Sequence, residues 1–173
     1  MSNVEVVLVS GMSGAGKSTA MAVFENMGYY CIDNYPVALL EEFGDYLFNE
    51  TLGSKIAMGI SLGDALQAIR ELSNMDWIKL TIVFLDCDNS EILKRYKQTR
   101  RSHPMMIMNK ANTLYDSIEL ERHEFEQIKT QADLVIDTTL LKRTALQDRL
   151  EASFYHETGE TFRVSFVSFG YKF

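Results

Sequence analysis

One stretch of eight residues has the composition of a phosphate-binding loop. It reads GMSGAGKS and matches G-x-x-x-x-G-K-[ST], the Walker A pattern. Glycines let successive backbone N–H groups face one point, where an anion can lie. In this pattern the lysine reaches the β- and γ-phosphates, and the hydroxyl group that follows binds Mg²⁺. The stretch therefore predicts a nucleotide site formed by Gly11, Met12, Ser13, Gly14, Ala15, Gly16, Lys17 and Ser18.

Two acidic residues come directly after apolar runs and are candidates for phosphoryl chemistry. Asp33 ends the run YYCID. An acid at that position can orient the hydroxyl of a phosphoryl acceptor, help to hold Mg²⁺, or cap the helix that begins near Pro36. Asp86 ends the run LTIVFLD, which is typical of a Walker B acid that holds Mg²⁺. Alternatively, this strand leads into the helix that precedes a lid, and the acid that binds the metal lies on the preceding strand.

A basic cluster, RYKQTRRSHP, spans residues 95–104. Guanidinium groups fit phosphate in a bidentate way, so we predict that Arg100 or Arg101 contacts the transferring phosphate, with Lys17 and Asp33 as the other catalytic candidates. The alternatives are a solvated helix end and a contact with an RNA backbone. For His103, a surface or turn role is favoured over catalysis.

The elements that must position these residues alternate along the chain. Apolar runs predict strands over 4–9, 28–33, 55–62, 80–85 and 132–137. Helical periodicity predicts helices over 18–28, 36–47, 64–72, 90–100, 114–130 and 140–154, with Asp64 as a cap. This alternation indicates an α/β protein with a parallel sheet flanked by helices, the three-layer fold of P-loop NTPases. The ligand is expected at the carboxyl ends of the strands.

Composition limits the classes of function. The formal net charge of −7 over 173 residues argues against strong non-specific attraction to nucleic acid or to an anionic membrane. The two cysteines offer neither a disulfide framework nor zinc spacing, which favours a reducing, cytoplasmic location. The first apolar run is too short for a signal peptide or a membrane span.

Several segments together resemble the RapZ-like nucleotide-binding proteins of bacteria. They are SGMSGAGKS, GYYCIDNYP, VFLDCDNSEILKRYKQTRRSHP, ADLVIDTT and FVSFGYKF. The resemblance implies a kinase-like P-loop domain that binds ATP and GTP with Mg²⁺ and hydrolyses them weakly. Some members of the family are RNase adapters that bind small regulatory RNA, mainly through a C-terminal domain.

The resemblance also implies an organisation for the chain. Residues 1–155 are expected to form the P-loop domain, and residues 156–173 the start of a truncated C-terminal domain, so an RNA or a regulatory protein would bind through the part that is missing. The family's guanine-nucleotide segment aligns with Ser61, Leu62, Gly63 and Asp64. The usual Asp-x-Arg is absent there, which weakens the expectation of GTP binding.

Three functions remain open at this stage: a regulatory nucleotide-binding domain with weak hydrolysis, a small-molecule kinase with Asp33 on the acceptor side, and an interaction module whose nucleotide site is structural. The oligomeric state is also open.

Overall fold

A parallel sheet of five strands forms the centre of the computed structural model, which describes residues 4–49, 55–60 and 62–154. The strands are β1 (Val4–Gly11), β2 (Tyr30–Asp33), β3 (Lys55–Gly59), β4 (Ile78–Asp86) and β5 (Leu134–Asp137). The helices are α1 (Lys17–Asn26), α2 (Leu40–Asn49), α3 (Ala65–Ser73), α4 (Asn89–Thr99), α5 (Pro104–Ile107), α6 (Leu114–Gln131) and α7 (Arg143–Phe154). Short 3₁₀ turns lie at Val37–Leu39 and Leu62–Asp64.

The strand order β2-β3-β1-β4-β5 places β1 in the middle of the sheet. Its valines and leucine are buried because helices cover both faces, as the continuous apolar run predicts. Parallel register brings the carboxyl ends of the strands to one edge, where Gly11 pairs with Leu85 and Asp33 pairs with Gly59. The predicted α/β fold is confirmed, and this edge carries the predicted loop.

The helices form the two outer layers of the fold. The chain reverses its direction across the sheet after β2, so right-handed crossovers place α1 on the face opposite the helices that connect β2 to β3, β3 to β4 and β4 to β5. On one face α1 packs against α7, with Phe24 and Phe154 in edge-to-face contact at 5.0 Å between ring centroids. On the other face α6 contacts β1, β4, α4 and α5.

Element boundaries differ from the predictions in a few places. The third strand ends at Gly59 instead of residue 62, and the last helix begins at Arg143 instead of residue 140. The helix α5 has no counterpart among the predictions, because its single turn is too short for a periodic apolar pattern. It begins with Pro104 at its first position, and the imidazole of His103 caps it by accepting the Met105 N–H at 3.1 Å.

The predicted boundary between residues 155 and 156 lies outside the described residues. Among the helices of the described ranges, none is long and apolar enough to span a lipid bilayer.

Candidate functional site

The predicted phosphate loop joins β1 to α1 with the backbone geometry of an anion nest. Gly11, Gly14 and Gly16 have φ angles of 144°, 87° and 105°. Hydrogen bonding at the start of α1 begins with the Ala20 N–H donating to the Gly16 carbonyl at 3.0 Å. The amides just before Ala20 therefore have no acceptor inside the helix and are available to an anion.

The carbonyl oxygens of the loop are held by neighbouring groups. Arg95 Nη1 donates to the Gly14 oxygen at 2.8 Å, and Thr138 Oγ1 donates to the Ala15 oxygen at 2.7 Å. The Met12 oxygen accepts the Ala15 N–H at 3.0 Å. Because the peptide unit is planar, fixing a carbonyl on one side turns the next N–H to the other side. These contacts pre-form the nest.

Lys17 lies at the centre of the loop and is half-buried. Its ammonium group donates to the Gly11 carbonyl at 2.9 Å and lies 5.9 Å from the centre of the Phe125 ring. Burial lowers the pKa of Lys17, and the nearby charges of Glu121 and Asp33 oppose that shift. In this position the ammonium group can exchange the Gly11 carbonyl for a phosphate oxygen.

Two cavities adjoin different residues of the loop. The larger, of about 470 Å³, is lined by Ser13, Lys17, Ser18, Asp33, Asn34, Gly63, Glu121 and Phe125, by Gly59 of β3 and Ile60 after it, and by apolar side chains from β1, α1 and residues 104–108. The smaller, of about 270 Å³, is lined by the loop residues 14–16, by Thr19, Thr138, Leu141 and Leu146, and by the cations Arg95, Lys142 and Arg143. A molecule lying along the loop would reach both cavities.

Asp33 lies where the sequence predicts, at the end of β2 and in the lining of the larger cavity. Its Oδ1 accepts the Asn34 N–H at 3.0 Å. A Cβ atom at Gly59 on the neighbouring strand would lie 2.5 Å from this oxygen, so the glycine makes room for the carboxylate. The acid therefore shares a cavity with Lys17, and its role toward an acceptor stays a prediction.

The carboxylate of Asp86 takes part in an ion-pair network. Arg122 Nη1 donates to Oδ1 at 2.9 Å and Lys129 Nζ donates to Oδ2 at 2.8 Å, while Oδ1 also accepts the Cys87 N–H at 2.8 Å. Burial alone would raise the pKa of Asp86, but the hydrogen bonds from Lys129 and Arg122 outweigh it and lower the pKa. Both carboxylate oxygens already accept hydrogen bonds, so this geometry does not favour binding of a metal ion by Asp86. That role stays a prediction.

Replacing Asp86 with asparagine should destabilise the domain in a pH-dependent way. At neutral pH we expect a loss of about 2 kcal/mol in the free energy of unfolding, because two charged hydrogen bonds are lost. The folded-state pKa of Asp86 is lowered, so its contribution is complete above the unfolded pKa of about 4 and disappears as the pH falls toward the folded value.

Urea unfolding of both proteins from pH 7 down to pH 3 measures this difference. The gap between wild type and variant should close below about pH 4. A gap that stays constant over this range would show that the carboxylate charge does not stabilise the fold.

Arg100 and Arg101 are both exposed, and Arg100 ends α4 with a φ angle of 53°. The arginine that contacts the phosphate loop is Arg95, one and a half turns earlier on the same helix. Besides the Gly14 oxygen, it donates to the Thr138 carbonyl from Nη2 at 2.8 Å. The contact of Arg100 or Arg101 with phosphate stays a prediction, and Arg95 joins them as a residue of the site.

Arg95→Ala should weaken nucleotide binding about tenfold, because it removes the charge-assisted hydrogen bond that holds the Gly14 carbonyl of the loop and the one that anchors the guanidinium group to the Thr138 carbonyl. Titration calorimetry with ATP and Mg²⁺ measures the change. Lys94→Ala, an exposed cation on the same helix, controls for the loss of positive charge. If both variants bind ATP equally well, Arg95 does not organise the loop.

The segment predicted to contact the nucleotide after β3 is only partly at the cavity. Ser61 lies outside the described residues, and Leu62 begins a 3₁₀ turn. Gly63 lines the larger cavity. Asp64 occupies the N-cap position of α3, as predicted, but its side chain makes no capping hydrogen bond.

The structure adds residues that the motifs did not indicate. Glu121 on α6 is 2 % exposed and accepts the Ser13 N–H at 2.7 Å and the Ser13 hydroxyl at 2.6 Å. His103, expected at the surface or in a turn, is completely buried, with Nε2 at 3.5 Å from Glu121 Oε1. The surface alternative is therefore wrong, whereas the turn alternative agrees with the cap that the ring forms on α5. The ring also lies between α5 and the Glu121 carboxylate.

A signal for Glu121 does exist in the sequence. The buried face of α6 includes Ile118, Phe125 and Ile128, and Glu121 falls on that face at helical spacing. An acid within an apolar stripe must have partners, which is itself an indication of a site.

Comparison with known proteins identifies the family. The model of the RapZ-like N-terminal domain matches residues 4–158. A nucleotide-binding protein of Lactiplantibacillus plantarum is 36% identical over 177 residues, covering 99% of this chain and 59% of the relative. A nucleotide-binding protein of Shouchella clausii is 40% identical over 181 residues, covering 99% of this chain and 60% of the relative. The chain thus spans about three fifths of the length of these relatives.

Solved structures show a likeness of fold at low sequence identity. Shikimate kinase from Acinetobacter baumannii, in complex with shikimate, superposes with a TM-score of 0.59 at 15% identity, covering 87% of this chain and 93% of the kinase. A gluconokinase from Sinorhizobium meliloti superposes with a TM-score of 0.53 at 15% identity, covering 88% of this chain and 92% of the kinase. The sheet and its flanking helices are those of P-loop kinases, and the chain belongs to the RapZ-like N-terminal domain family.

Proposed function

We propose that the domain binds ATP with Mg²⁺ at the loop of residues 11–18 and hydrolyses it slowly, as a cytoplasmic regulatory protein. The observation that carries the proposal is the pre-formed nest, whose carbonyls are held by Arg95 and Thr138 while Lys17 faces the larger cavity. Such a nest with an ammonium group beside it is complementary to a polyphosphate.

The lining of the two cavities favours one orientation of the nucleotide along the loop. The smaller cavity combines the apolar side chains of Leu141 and Leu146 with three cations, which suits a nucleoside and its first phosphate. The larger cavity holds Lys17 and Ser18, the two residues that the pattern assigns to the terminal phosphates and the metal. The γ-phosphate would therefore point into the larger cavity.

The residues present fit a metal ion that is held mainly by the nucleotide. No group of three or more acidic, histidine or cysteine side chains within the described ranges is arranged to bind a metal by itself. The exposed hydroxyl of Ser18 lies in the larger cavity with Asp33 as the neighbouring acid. Bound Mg²⁺ would supply neutralising charge for the phosphates, with Ser18 as its protein ligand.

We expect hydrolysis to be slow because the acids around the larger cavity are poorly placed to activate water. Glu121 and Asp33 are the carboxylates of its described lining. Both Glu121 oxygens already accept hydrogen bonds from Ser13, so this carboxylate is poorly placed to accept a proton from an attacking water. Asp33 is open to solvent and would orient water only loosely.

Titration calorimetry of the chain with ATP, ADP, GTP and GDP tests the binding, and a coupled phosphate-release assay tests the hydrolysis. We expect ATP with Mg²⁺ to bind, phosphate to be released slowly and GTP to bind more weakly. If none of the four nucleotides binds, the proposal is wrong.

A small-molecule kinase is the second candidate, and the volume of the larger cavity favours it. About 470 Å³ beside Lys17 and Asp33 can hold a metabolite-sized acceptor. A screen of metabolites for ATP-dependent phosphorylation separates the two functions, because a kinase would transfer the phosphoryl group to one of them. If every metabolite fails while slow phosphate release continues, the regulatory function is favoured.

Binding of RNA or of a regulatory protein stays a prediction from the family resemblance.

A further inference from the structure

A buried carboxylate occupies part of the phosphate loop. Glu121 Oε1 accepts the backbone N–H of Ser13 at 2.7 Å, and Oε2 accepts the Ser13 hydroxyl at 2.6 Å. Glu121 comes from α6, 108 residues further along the chain, and is 2 % exposed. The amides of a Walker A loop are donors for anions. The Glu121 carboxylate is therefore an anion of the protein itself that occupies a donor of this loop, next to the larger cavity.

His103 lies on the other side of this carboxylate. Its Nδ1 accepts the Met105 N–H at 3.1 Å, so the proton of the neutral ring is on Nε2, which lies 3.5 Å from Glu121 Oε1. Burial alone would raise the pKa of Glu121, but the nearby imidazole of His103 and the hydrogen bonds from both Ser13 donors outweigh it and lower the pKa. The carboxylate is therefore charged at neutral pH.

The charges of the larger cavity are unfavourable for a third phosphate. Its described lining contains one cation, Lys17, and two carboxylates, Asp33 and Glu121. A diphosphate that fills the nest is balanced by the loop amides and by Lys17. The terminal group of a triphosphate would enter the same space as both carboxylates, and the buried Glu121 would repel it most strongly, because little water screens that charge.

We propose that Glu121 determines phosphate-chain specificity: as a buried carboxylate bound to Ser13, it makes the loop bind nucleoside diphosphates more tightly than triphosphates, and a divalent cation reduces this difference. This inference rests on the proposed function, since it assumes that the loop binds nucleotides. It also explains why hydrolysis would be slow, because the γ-phosphate is the part of the ligand that this loop holds least well.

Glu121→Gln is the variant that removes the charge and keeps the contacts. The amide oxygen can accept the Ser13 N–H and face His103 Nε2, while the amide nitrogen can donate to the Ser13 hydroxyl oxygen. The matched control is Glu126→Gln, an exposed acid on the same helix, which changes the net charge by the same amount. Melting temperatures of the free proteins check that each variant folds.

The experiment is titration calorimetry of the 173-residue chain with ADP and with ATP, in excess Mg²⁺ and in EDTA. In EDTA the wild type should bind ADP about tenfold more tightly than ATP, and Mg²⁺ should reduce this difference. In Glu121→Gln the affinity for ATP should rise about tenfold in EDTA, with a change of less than about threefold for ADP. The Glu126→Gln variant should behave like the wild type.

Equal changes for both nucleotides in Glu121→Gln, or equal changes in the two variants, would overturn the inference while leaving the proposed function in place. If Glu121→Gln does not fold, the wild type decides alone: ATP binding as tight as ADP binding in EDTA overturns the inference. If neither nucleotide binds to the wild type, both the inference and the proposed function fail.

Discussion

Lys17→Ala is expected to abolish measurable ATP binding, with a loss of at least about 100-fold in affinity. The ammonium group is half-buried, and the one hydrogen bond described for it goes to the Gly11 carbonyl. A phosphate oxygen that replaces this carbonyl gains a charge-assisted bond in a site with little water, and alanine removes that bond completely. Titration calorimetry with ATP and Mg²⁺ gives the affinity directly.

The same substitution should leave the fold nearly unchanged. Burial lowers the pKa of Lys17, which shows that its charge is costly to bury, and the carboxylate of Glu121 keeps its bonds from Ser13 when the lysine is lost. The melting temperature without nucleotide should therefore change by only a few degrees. Lys94→Ala, an exposed lysine on α4, should bind ATP as the wild type does. Normal ATP affinity in Lys17→Ala would show that the nucleotide binds elsewhere.

Gly11→Ala should have the largest effect on stability, at about 3 kcal/mol or more in the free energy of unfolding. Gly11 has a φ angle of 144°, and a Cβ atom would lie 2.2 Å from the carbonyl oxygen and 2.8 Å from the nitrogen of Leu85. Both atoms belong to the backbone of β4, which is paired with β1 and cannot move aside. The side chain would push these two strands apart at the start of the loop.

Gly28→Ala provides the matched control. Gly28 also has a positive φ angle, of 88°, but nothing lies within 4 Å of the position of a Cβ atom. This variant suffers the backbone strain alone, and we expect a loss of about 1 kcal/mol. Urea unfolding at pH 7 compares the two variants. If they are equally stable, the close approach of Gly11 to β4 does not matter.

The parts of the protein that could be predicted from the sequence are those encoded by neighbouring residues. The phosphate loop is contiguous, and the apolar runs of β1 and β4 are long enough to identify buried parallel strands. The helix α5 was not predicted at all, because its single turn is defined by a histidine cap and a proline instead of a periodic pattern.

The site was less predictable because its remaining residues come from distant parts of the chain. Glu121 reaches Ser13 across 108 residues, and α6 contains several other acids that face solvent. Arg95 and Arg101 belong to one basic cluster, and only the helix geometry decides which of them reaches the Gly14 carbonyl. Asp86 follows the pattern of a metal acid, yet its partners Arg122 and Lys129 lie two helical turns apart on one side of α6.

A crystal structure of the chain with ATP or a non-hydrolysable analogue and Mg²⁺ is the most direct test of the phosphate-binding loop. The account predicts that the polyphosphate lies against the amides of residues 14–18, with Lys17 Nζ within hydrogen-bond distance of a phosphate oxygen. The nucleoside should lie on the side of Arg95 and Thr138. A nucleotide bound away from this loop, or one whose phosphates leave Lys17 on the Gly11 carbonyl, would contradict it.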